Sequence, residues 1–309
     1  MFDKIVVVTR KTRLEDLVAR FNSRAQAKFY IEHAGGEFSE YEREDETYHR
    51  SLDELRRSLD LGLKLQVIDR SFVPTFLFTP KDVVVAVGQD GLVANTAKYL
   101  DGQPLLGVNP DPERFDGILL PFQPSKAKQA VLLTLEEKAK VREVTLAEAS
   151  LNDGQKLLAF NDLFVGAKSH VSARYKIQID RKSESQSSSG VLISTGAGST
   201  GWLSSVFNMA GGVAQLMKGR TGQAIQMGWE DPRLVYVVRE PFASRHSQTS
   251  LIAGILNSGH ELLIESQMPS GGVIFSDGVE QDFLEFNSGA IARIRTSARK
   301  ARLVWEDAA

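Results

Sequence analysis

The stretch VVVAVGQDGLVANTAKYL, residues 83–100, decides the fold. Five of its first six residues are apolar, which is typical of an interior parallel strand, and residues 92–100 favour a helix. Between them two glycines flank one carboxylate, Asp90. Glycines let a backbone approach another group closely, and the N-terminus of the following helix offers free N–H groups to an anion. A carboxylate repels an anionic ligand, so its presence in a potential anion site indicates a chemical role. Asp90 is therefore the first candidate functional residue.

Strands and helices alternate on either side of this stretch. The apolar spacing predicts strands at residues 5–8, 65–68, 83–87 and 105–108, and helices around residues 14–21 and 52–59. This order predicts a doubly wound, Rossmann-like α/β domain over residues 1–115, with ligands at the carboxyl ends of the strands. The loop of residues 88–91 lies at such an end.

The pattern changes after GVNPDPERFDG, residues 107–117. From about residue 119, short strands alternate with Gly, Asn, Asp and Ser turns, and one helix is predicted near residues 202–217. We therefore predict a β-rich, β-sandwich-like domain over residues 116–309, with the functional site between the two domains. The segment RKSESQSSSG, residues 181–190, is predicted to be a polar turn or loop.

Composition narrows the class of protein. The chain has 309 residues, a formal net charge of -2 and no cysteine, so it has no overall basic field for nucleic acid and no disulfides or thiolate metal sites. The N-terminal apolar run is too short for a signal peptide, and no stretch approaches the ~18 apolar residues of a membrane span. We predict a soluble, cytoplasmic protein with neither nucleic-acid nor membrane partners.

A second glycine-rich loop lies in GVLISTGAGSTGWLSSVF, residues 190–207. It matches the dinucleotide fingerprint G-x-G-x-x-G, but no acidic residue follows at the distance that a ribose contact needs. It also approaches the G-x-S-x-G elbow of hydrolases, with Ser199 as nucleophile and Asp231 with His246 or His260 as partners, although Ala197 breaks that motif.

A third interpretation joins both glycine loops. No Asp or Glu occurs from residue 185 to residue 229, and this span is rich in Ser, Thr and Gly. Hydroxyl and backbone N–H groups bind phosphates without a large fixed charge. The two loops together therefore favour a polyanionic ligand such as a nucleotide.

At these residues the chain resembles the NAD kinase family, within the superfamily that includes diacylglycerol and sphingosine kinases. The family's Gly-Gly-Asp-Gly motif is matched by Gly88-Gln89-Asp90-Gly91, and its Asn-Glu pair by Asn161-Asp162. Its Thr-rich loop is matched by TGAGSTGW, residues 195–202, and its C-terminal Asp-Gly turn by Asp277-Gly278. The segments VTRKTRLED and GVNPDPERFDG, together with Ser189, resemble the mitochondrial-type branch.

The resemblance implies transfer of a phosphoryl group from ATP to the 2′-hydroxyl of the adenosine ribose of NAD, with Asp90 as general base. It implies Mg²⁺ on the donor phosphates with no dedicated protein cage, and a homodimer. NAD recognition is expected at Asn161 and Asp162, with Trp202 on the adenine side. The full set of binding residues that it implies is Gly88, Gln89, Gly91, Asn161, Asp162, Ser189, Ser199, Thr200, Gly201, Trp202 and Ser205.

Three residues depart from the family pattern. Gln89 replaces a glycine, Leu92 stands where the family usually has Thr, and Asp162 is one methylene shorter than Glu. A family member that binds a nucleotide without turnover, or a kinase for a different hydroxyl, is therefore the alternative. Lys11 and Arg13, after the first strand, are further candidates for phosphate contact.

Overall fold

The computed structural model describes residues 2–219, 222 and 225–306. The chain forms two compact units. The first runs to Arg142 and takes up the chain again from Arg302, and the second spans Glu143–Ala301. None of the helices within the described ranges combines the length and apolarity that crossing a bilayer requires.

The first unit is built on a parallel sheet. Its own strands are β1 (Lys4–Thr9), β2 (Lys64–Asp69), β3 (Asp82–Val87) and β4 (Pro104–Val108), in the order β2-β1-β3-β4. Its helices are α1 (Arg13–Phe21), α2 (Arg24–His33), α3 (Phe38–Ser58), α4 (Asp90–Ala97) and α5 (Pro124–Leu135). Arg302 and Leu303, near the end of the chain, pair in parallel with β4. The predicted α/β architecture is confirmed.

Local sequence signals account for these elements. All six residues of β3 are buried, as expected for a strand covered on both faces. Helix α1 begins with a capping box, in which the Thr12 hydroxyl and the Glu15 carboxylate satisfy each other's backbone N–H groups. Asn22 ends that helix in the left-handed conformation. Helix α4 starts only two residues after β3, so the Gly-Gln-Asp-Gly loop is a tight strand-to-helix turn.

Helix α5 was not expected from the sequence. Its Ala127, Ala130 and Val131 are buried in the same core as Val7 and Val85 of the parallel sheet. Because this helix completes that core, the compact unit continues to Arg142 rather than ending at residue 115, where the texture of the sequence changes.

The second unit consists of two antiparallel sheets and one long helix. Its strands are β5 (Val141–Leu151), β6 (Lys156–Ala159), β7 (Asp162–Ala167), β8 (Ala173–Ile179), β9 (Lys182–Ser188), β10 (Val191–Ser194), β11 (Leu234–Val238), β12 (Ala253–Leu256), β13 (Leu262–Ser266), β14 (Gly272–Ser276), β15 (Val279–Glu285) and β16 (Ile291–Val304). The helix is α6 (Trp202–Leu216).

Both sheets of this unit bury one face in a common apolar core. One sheet has the order β12-β11-β10-β7-β14-β15. The other includes β16-β13-β8-β9, with β5 paired to β16 and β6 paired to β5. Tyr175 and Ile264 from one sheet and Val165 and Ile193 from the other belong to the same cluster of buried side chains. The β-rich prediction for the C-terminal part is confirmed, and α6 lies where a helix was predicted.

The prediction of a loop at residues 181–190 is wrong, because most of this segment is strand β9, paired along its length with β8. Its alternate residues Glu184, Gln186 and Ser188 point inward and are buried. The Glu184 carboxylate accepts the backbone N–H groups of Ser250 and Leu251. The buried positions of this strand are polar and hydrogen-bonded. An analysis of apolar alternation therefore could not detect the strand.

The close contact between Gly107 of β4 and the Leu119 segment can be tested by substitution. A side chain at this position would overlap the carbonyl oxygen of Leu119, on the segment that crosses β4. We expect Gly107→Ala to lower the free energy of unfolding by about 1–3 kcal/mol, the usual cost of overpacking, as measured by urea unfolding.

Gly211→Ala is the matched control, since a methyl group at this position of α6 meets no atom within 4 Å. That variant should be neutral or stabilising by up to about 1 kcal/mol, because alanine favours a helix. Equal effects of the two substitutions would contradict the packing argument.

Candidate functional site

The Gly-Gln-Asp-Gly loop is closely packed at Gly88 and open at Gly91. A side chain at Gly88 would lie 3.0 Å from the Leu92 side chain and 3.4 Å from that of Arg10. A side chain at Gly91 would meet no atom within 4 Å. Gln89 is the N-cap residue of α4, but its exposed side chain makes no capping hydrogen bond. Gly88 therefore serves the fold, whereas Gly91 leaves space beside the start of α4.

The Asp90 carboxylate is fixed by the backbone of another loop. The N–H of Leu119 donates to Oδ1 at 2.7 Å, and the N–H of Ile118 donates to Oδ2 at 3.3 Å. Gly107 lets the Leu119 segment lie directly on β4. Since a carboxylate oxygen has two lone pairs, each Asp90 oxygen keeps one for a further donor. Asp90 is thus oriented and still able to accept a proton.

The Asn161-Asp162 pair is held by the predicted Asp-Gly turn. Asp277 adopts a left-handed conformation, with φ 53°. Its carboxylate accepts the backbone N–H groups of Phe160, Asn161 and Asp162 at 3.0, 2.6 and 3.2 Å. This turn therefore fixes the backbone of residues 160–162, a role that the sequence did not predict.

The Asp162 side chain is held in an environment that disfavours its charge. Its pKa is raised to about 7, chiefly by burial and also by the negative charge of Asp277, while a hydrogen bond with the Ser194 side chain acts in the opposite direction. Its Oδ1 is buried and has no hydrogen-bond partner within the described part of the chain. An unpartnered buried carboxylate oxygen can accept a bond from a ligand hydroxyl.

The second glycine loop is closely packed at its start. Side chains at Gly196 and Gly198 would overlap the carbonyl oxygens of Gly228 and Asn161. The Ser199 hydroxyl donates to the Gly196 carbonyl at 2.7 Å. The following Thr200 and Gly201 are exposed, as is Ser205, whose hydroxyl donates to the Gly201 carbonyl at 3.4 Å.

The structure does not favour the hydrolase interpretation. Ser199 is bonded to backbone carbonyls, Asp231 accepts three hydrogen bonds from Arg233, and His260 pairs with Asp180. The dinucleotide fingerprint also lacks its context, because β10 before the loop pairs antiparallel with β7 and β11 rather than forming a parallel βαβ unit.

Trp202 lies at the edge of an aromatic cavity. Phe164 lies against Gly166 and Gly190, where side chains would overlap its ring. Trp202 stacks on Phe164 with ring centroids 5.7 Å apart and planes 15° apart. The Arg239 guanidinium lies 5.2 Å from the Trp202 ring centroid.

This cavity has a volume of about 430 Å³, and its walls also include Lys168, His170, Ser189, Phe275 and Phe283. Ser189 and Trp202 thus line the same cavity. Phe164, Lys168 and Arg239 were missed, because isolated aromatic and basic residues carry no sequence signal. Asn161, Asp162 and Ser199 are not among the residues that line it.

Comparisons with known proteins agree with these motifs. No protein-family model matches the sequence. The chain is 24% identical to NAD kinase 2, mitochondrial, of Rattus norvegicus, over 94% of this chain and 84% of that protein. It is also 27% identical to a probable NADH kinase of Oryza sativa subsp. japonica, over 63% of this chain and 62% of that protein.

Two solved structures have the same fold. Yeast NADH kinase complexed with NADH matches with a TM-score of 0.58 and 18% identity, over 99% of this chain and 84% of that one. An NAD kinase from Archaeoglobus fulgidus in complex with ATP matches with a TM-score of 0.55 and 15% identity, over 98% and 94%. Along nearly its whole length, the chain is similar to proteins of the NAD kinase family.

The raised pKa of Asp162 predicts an unusual pH dependence of stability. The native carboxyl group keeps its proton up to about pH 7, whereas in the unfolded chain it loses the proton near its ordinary value of 3.8. The unfolded state then binds fewer protons, so the free energy of unfolding falls as pH rises from about 4 to about 7.

We expect Asp162→Asn to remove this slope. The variant should match the wild type near pH 4 and exceed it by roughly 4 kcal/mol near pH 8, at about 1.4 kcal/mol per pKa unit. Urea unfolding across this range measures the effect, with the exposed Asp60→Asn as control. An unchanged slope in Asp162→Asn would assign the pH dependence to other groups.

Proposed function

We propose that the chain is an NAD kinase, which transfers the terminal phosphoryl group of ATP to the 2′-hydroxyl of the adenosine ribose of NAD. The observation that carries this proposal is the Asp90 carboxylate, oriented by two backbone N–H groups at the carboxyl end of a buried parallel strand. The similarity of 94% of the chain to mitochondrial NAD kinase 2 supports it, as do the two similar solved structures, which are complexes with NADH and with ATP.

Asp90 acts as general base in this proposal. The ribose hydroxyl gives its proton to a free lone pair of the carboxylate while its oxygen forms a bond to the γ-phosphorus. The bond between that phosphorus and the bridging oxygen breaks, and ADP leaves with the electron pair. General-base assistance of this kind contributes roughly 10²–10⁴-fold to the rate.

NAD recognition is assigned to the second unit. The unpartnered Oδ1 of Asp162 accepts a ribose hydroxyl, and Asn161 contributes its amide beside it. Trp202 offers an aromatic face for the adenine, supported from behind by Phe164. Exposed groups of Ser189, Thr200, Gly201 and Ser205 complete the assignment, whereas Ser199 acts by shaping the loop through its bond to Gly196.

Mg²⁺ fits this site as a metal held mainly by substrate phosphates. Both Asp90 oxygens already accept backbone N–H groups. Among the residues that the structure describes, Glu15, Asp45 and His49 form a potential ligand group, but Thr12 already donates to both carboxylates. When bound, Mg²⁺ would neutralise donor phosphate charge. The homodimer and the cytoplasmic location stay predictions, and the rat relative carries "mitochondrial" in its name.

Asp90→Asn tests the proposed chemistry. We expect NADP formation from NAD and ATP to fall by about 10²–10⁴-fold, since an amide cannot accept the proton. The amide also loses one of the two backbone hydrogen bonds, so the free energy of unfolding should fall by about 1–2 kcal/mol. Rates are therefore measured at a temperature where the variant is folded, with NADP quantified by enzymatic cycling.

Asp116→Asn, an exposed carboxylate in the neighbouring segment, is the matched control and should keep the wild-type rate. NADH as acceptor and polyphosphate as donor are run in parallel. A wild-type protein that phosphorylates neither NAD nor NADH with either donor would refute the kinase proposal. Nucleotide binding measured by calorimetry would then support the non-catalytic alternative.

Gln89→Gly tests whether this departure from the family motif weakens donor binding. Gln89 is exposed and caps nothing, and glycine is tolerated at an N-cap, so stability should change by only about 0.5 kcal/mol. We expect a lower KM for ATP with the KM for NAD unchanged, because the variant frees space beside the start of α4. An unchanged KM for ATP would show that the Gln89 side chain already lies outside the phosphate path.

A further inference from the structure

A buried carboxylate in the first unit gathers three arginines. Glu44, in the middle of α3, has a side chain only 3% exposed, although it lies in the highly charged segment SEYEREDETYHR. It pairs with Arg10 at 3.1 Å, with the Nε of Arg13, and with Arg114 at 3.5 Å. Arg114 also lies 3.6 Å from Asp111. Three guanidinium groups therefore share two carboxylates, which leaves an excess positive charge.

Arg10 lies directly against the Gly-Gln-Asp-Gly loop. Its side chain is 9% exposed, and the position of the absent side chain of Gly88 is 3.5 Å from its Nε. Its backbone N–H donates to the Tyr48 hydroxyl, which in turn donates to the carbonyl of Val87, the last residue of β3. The guanidinium also faces the Tyr48 ring at 5.2 Å. This arginine is therefore tied to the strand that leads into the loop.

Within the part of the chain that the structure describes, the Nε donor of Arg10 is unsatisfied. Nη2 donates to Glu44 and Nη1 donates to the Lys11 carbonyl, but the buried Nε has no partner among the described residues. A buried unsatisfied donor on a charged group is costly and indicates a missing acceptor. Arg10 lies against Gly88, at the first residue of the loop, and the start of α4 with the open space at Gly91 lies at the last, so the loop offers an anion a cationic donor and an unobstructed helix N-terminus.

We infer that Arg10 and Arg13, oriented by Glu44, bind the phosphate chain of the phosphoryl donor beside the Gly-Gln-Asp-Gly loop. Guanidinium groups match phosphate oxygens in planar, two-bond geometry. Glu44 is a positioning residue, since it holds the arginines without itself facing the donor. The identity of the donor rests on the proposed function, whereas the linear triphosphate chemistry is common to ATP and inorganic polyphosphate.

Equilibrium binding tests this site without turnover. The probes are inorganic tripolyphosphate and Mg²⁺ with the non-hydrolysable analogue AMP-PNP, titrated by calorimetry into the full chain. Arg10→Met should weaken both by about tenfold or more, the scale of a lost charge-assisted bond, with NAD affinity unchanged. Weakening of AMP-PNP alone would identify a nucleotide donor and still support the site. Unchanged affinity for both probes in a folded Arg10→Met protein would overturn it.

Arg13→Met and Glu44→Gln keep the inference testable if Arg10→Met does not fold. Arg13 is 49% exposed, so its loss should leave the core intact while weakening both probes. Glu44→Gln should raise the KM for the donor without changing the KM for NAD, a split that general destabilisation would not produce. The matched control is Arg24→Met, which removes an exposed ion pair between α2 and Glu42 of α3 and should alter neither probe.

The outcome is separable from that of the proposed function. If the wild type makes no NADP but binds tripolyphosphate through Arg10, the kinase proposal fails and the phosphate site stands. If the wild type makes NADP and the Arg10 and Arg13 variants keep the donor KM, the phosphate site fails and the kinase proposal stands.

Discussion

The hydrogen bond from a backbone N–H to a carboxylate is the interaction on which the loops of this protein depend. The Asp90 carboxylate accepts hydrogen bonds from the backbone N–H groups of Ile118 and Leu119. The Asp277 carboxylate accepts them from three consecutive residues beginning at Phe160. Glu184 does the same for Ser250 and Leu251. Charge-assisted bonds of this kind are shorter and stronger than neutral ones. Irregular segments next to the candidate site are thereby held in one conformation without secondary structure of their own.

The same bonds give the acidic residues of the motifs two tasks. Asp90 is both the proposed base and a structural acceptor, and Asp277, which sequence comparison presents only as part of a turn, shapes the backbone around Asp162. Substitution of such a residue alters geometry as well as chemistry. The acidic residues of these motifs therefore have a structural role in addition to the one proposed for them.

The sequence predicted what periodicity and local chemistry encode. The valines of β3, the loop that follows and the apolar spacing of α1 identified the parallel sheet correctly, because each signal is local. Strand β9 was missed because its buried face is polar and is satisfied by residues more than sixty positions away. Helix α5 was missed because its small apolar residues form no clear periodic pattern, and their burial depends on the sheet against which they pack.

The candidate site divides in the same way. Asp90, Asp162 and Trp202 could be named from ordered motifs, and the structure gives each a defined environment. The cluster at Glu44 could not be found, since an acidic residue in a charged helix is typical of a solvated surface. Its burial depends on arginines that come 31 to 34 positions before it and 70 positions after it. Distances of this kind in the chain are set by topology, which a linear pattern does not contain.

Strand β16 has a consequence for how the molecule is made. The chain leaves the first unit after Arg142, builds the whole second unit, and returns so that Arg302 and Leu303 pair with β4. The parallel position beside β4 is therefore filled only after the whole second unit has been synthesised. The N-terminal half, although translated first, must wait with an unpaired sheet edge, and such edges are prone to pair with other chains. The first unit is thus the first to be synthesised and the last to be completed.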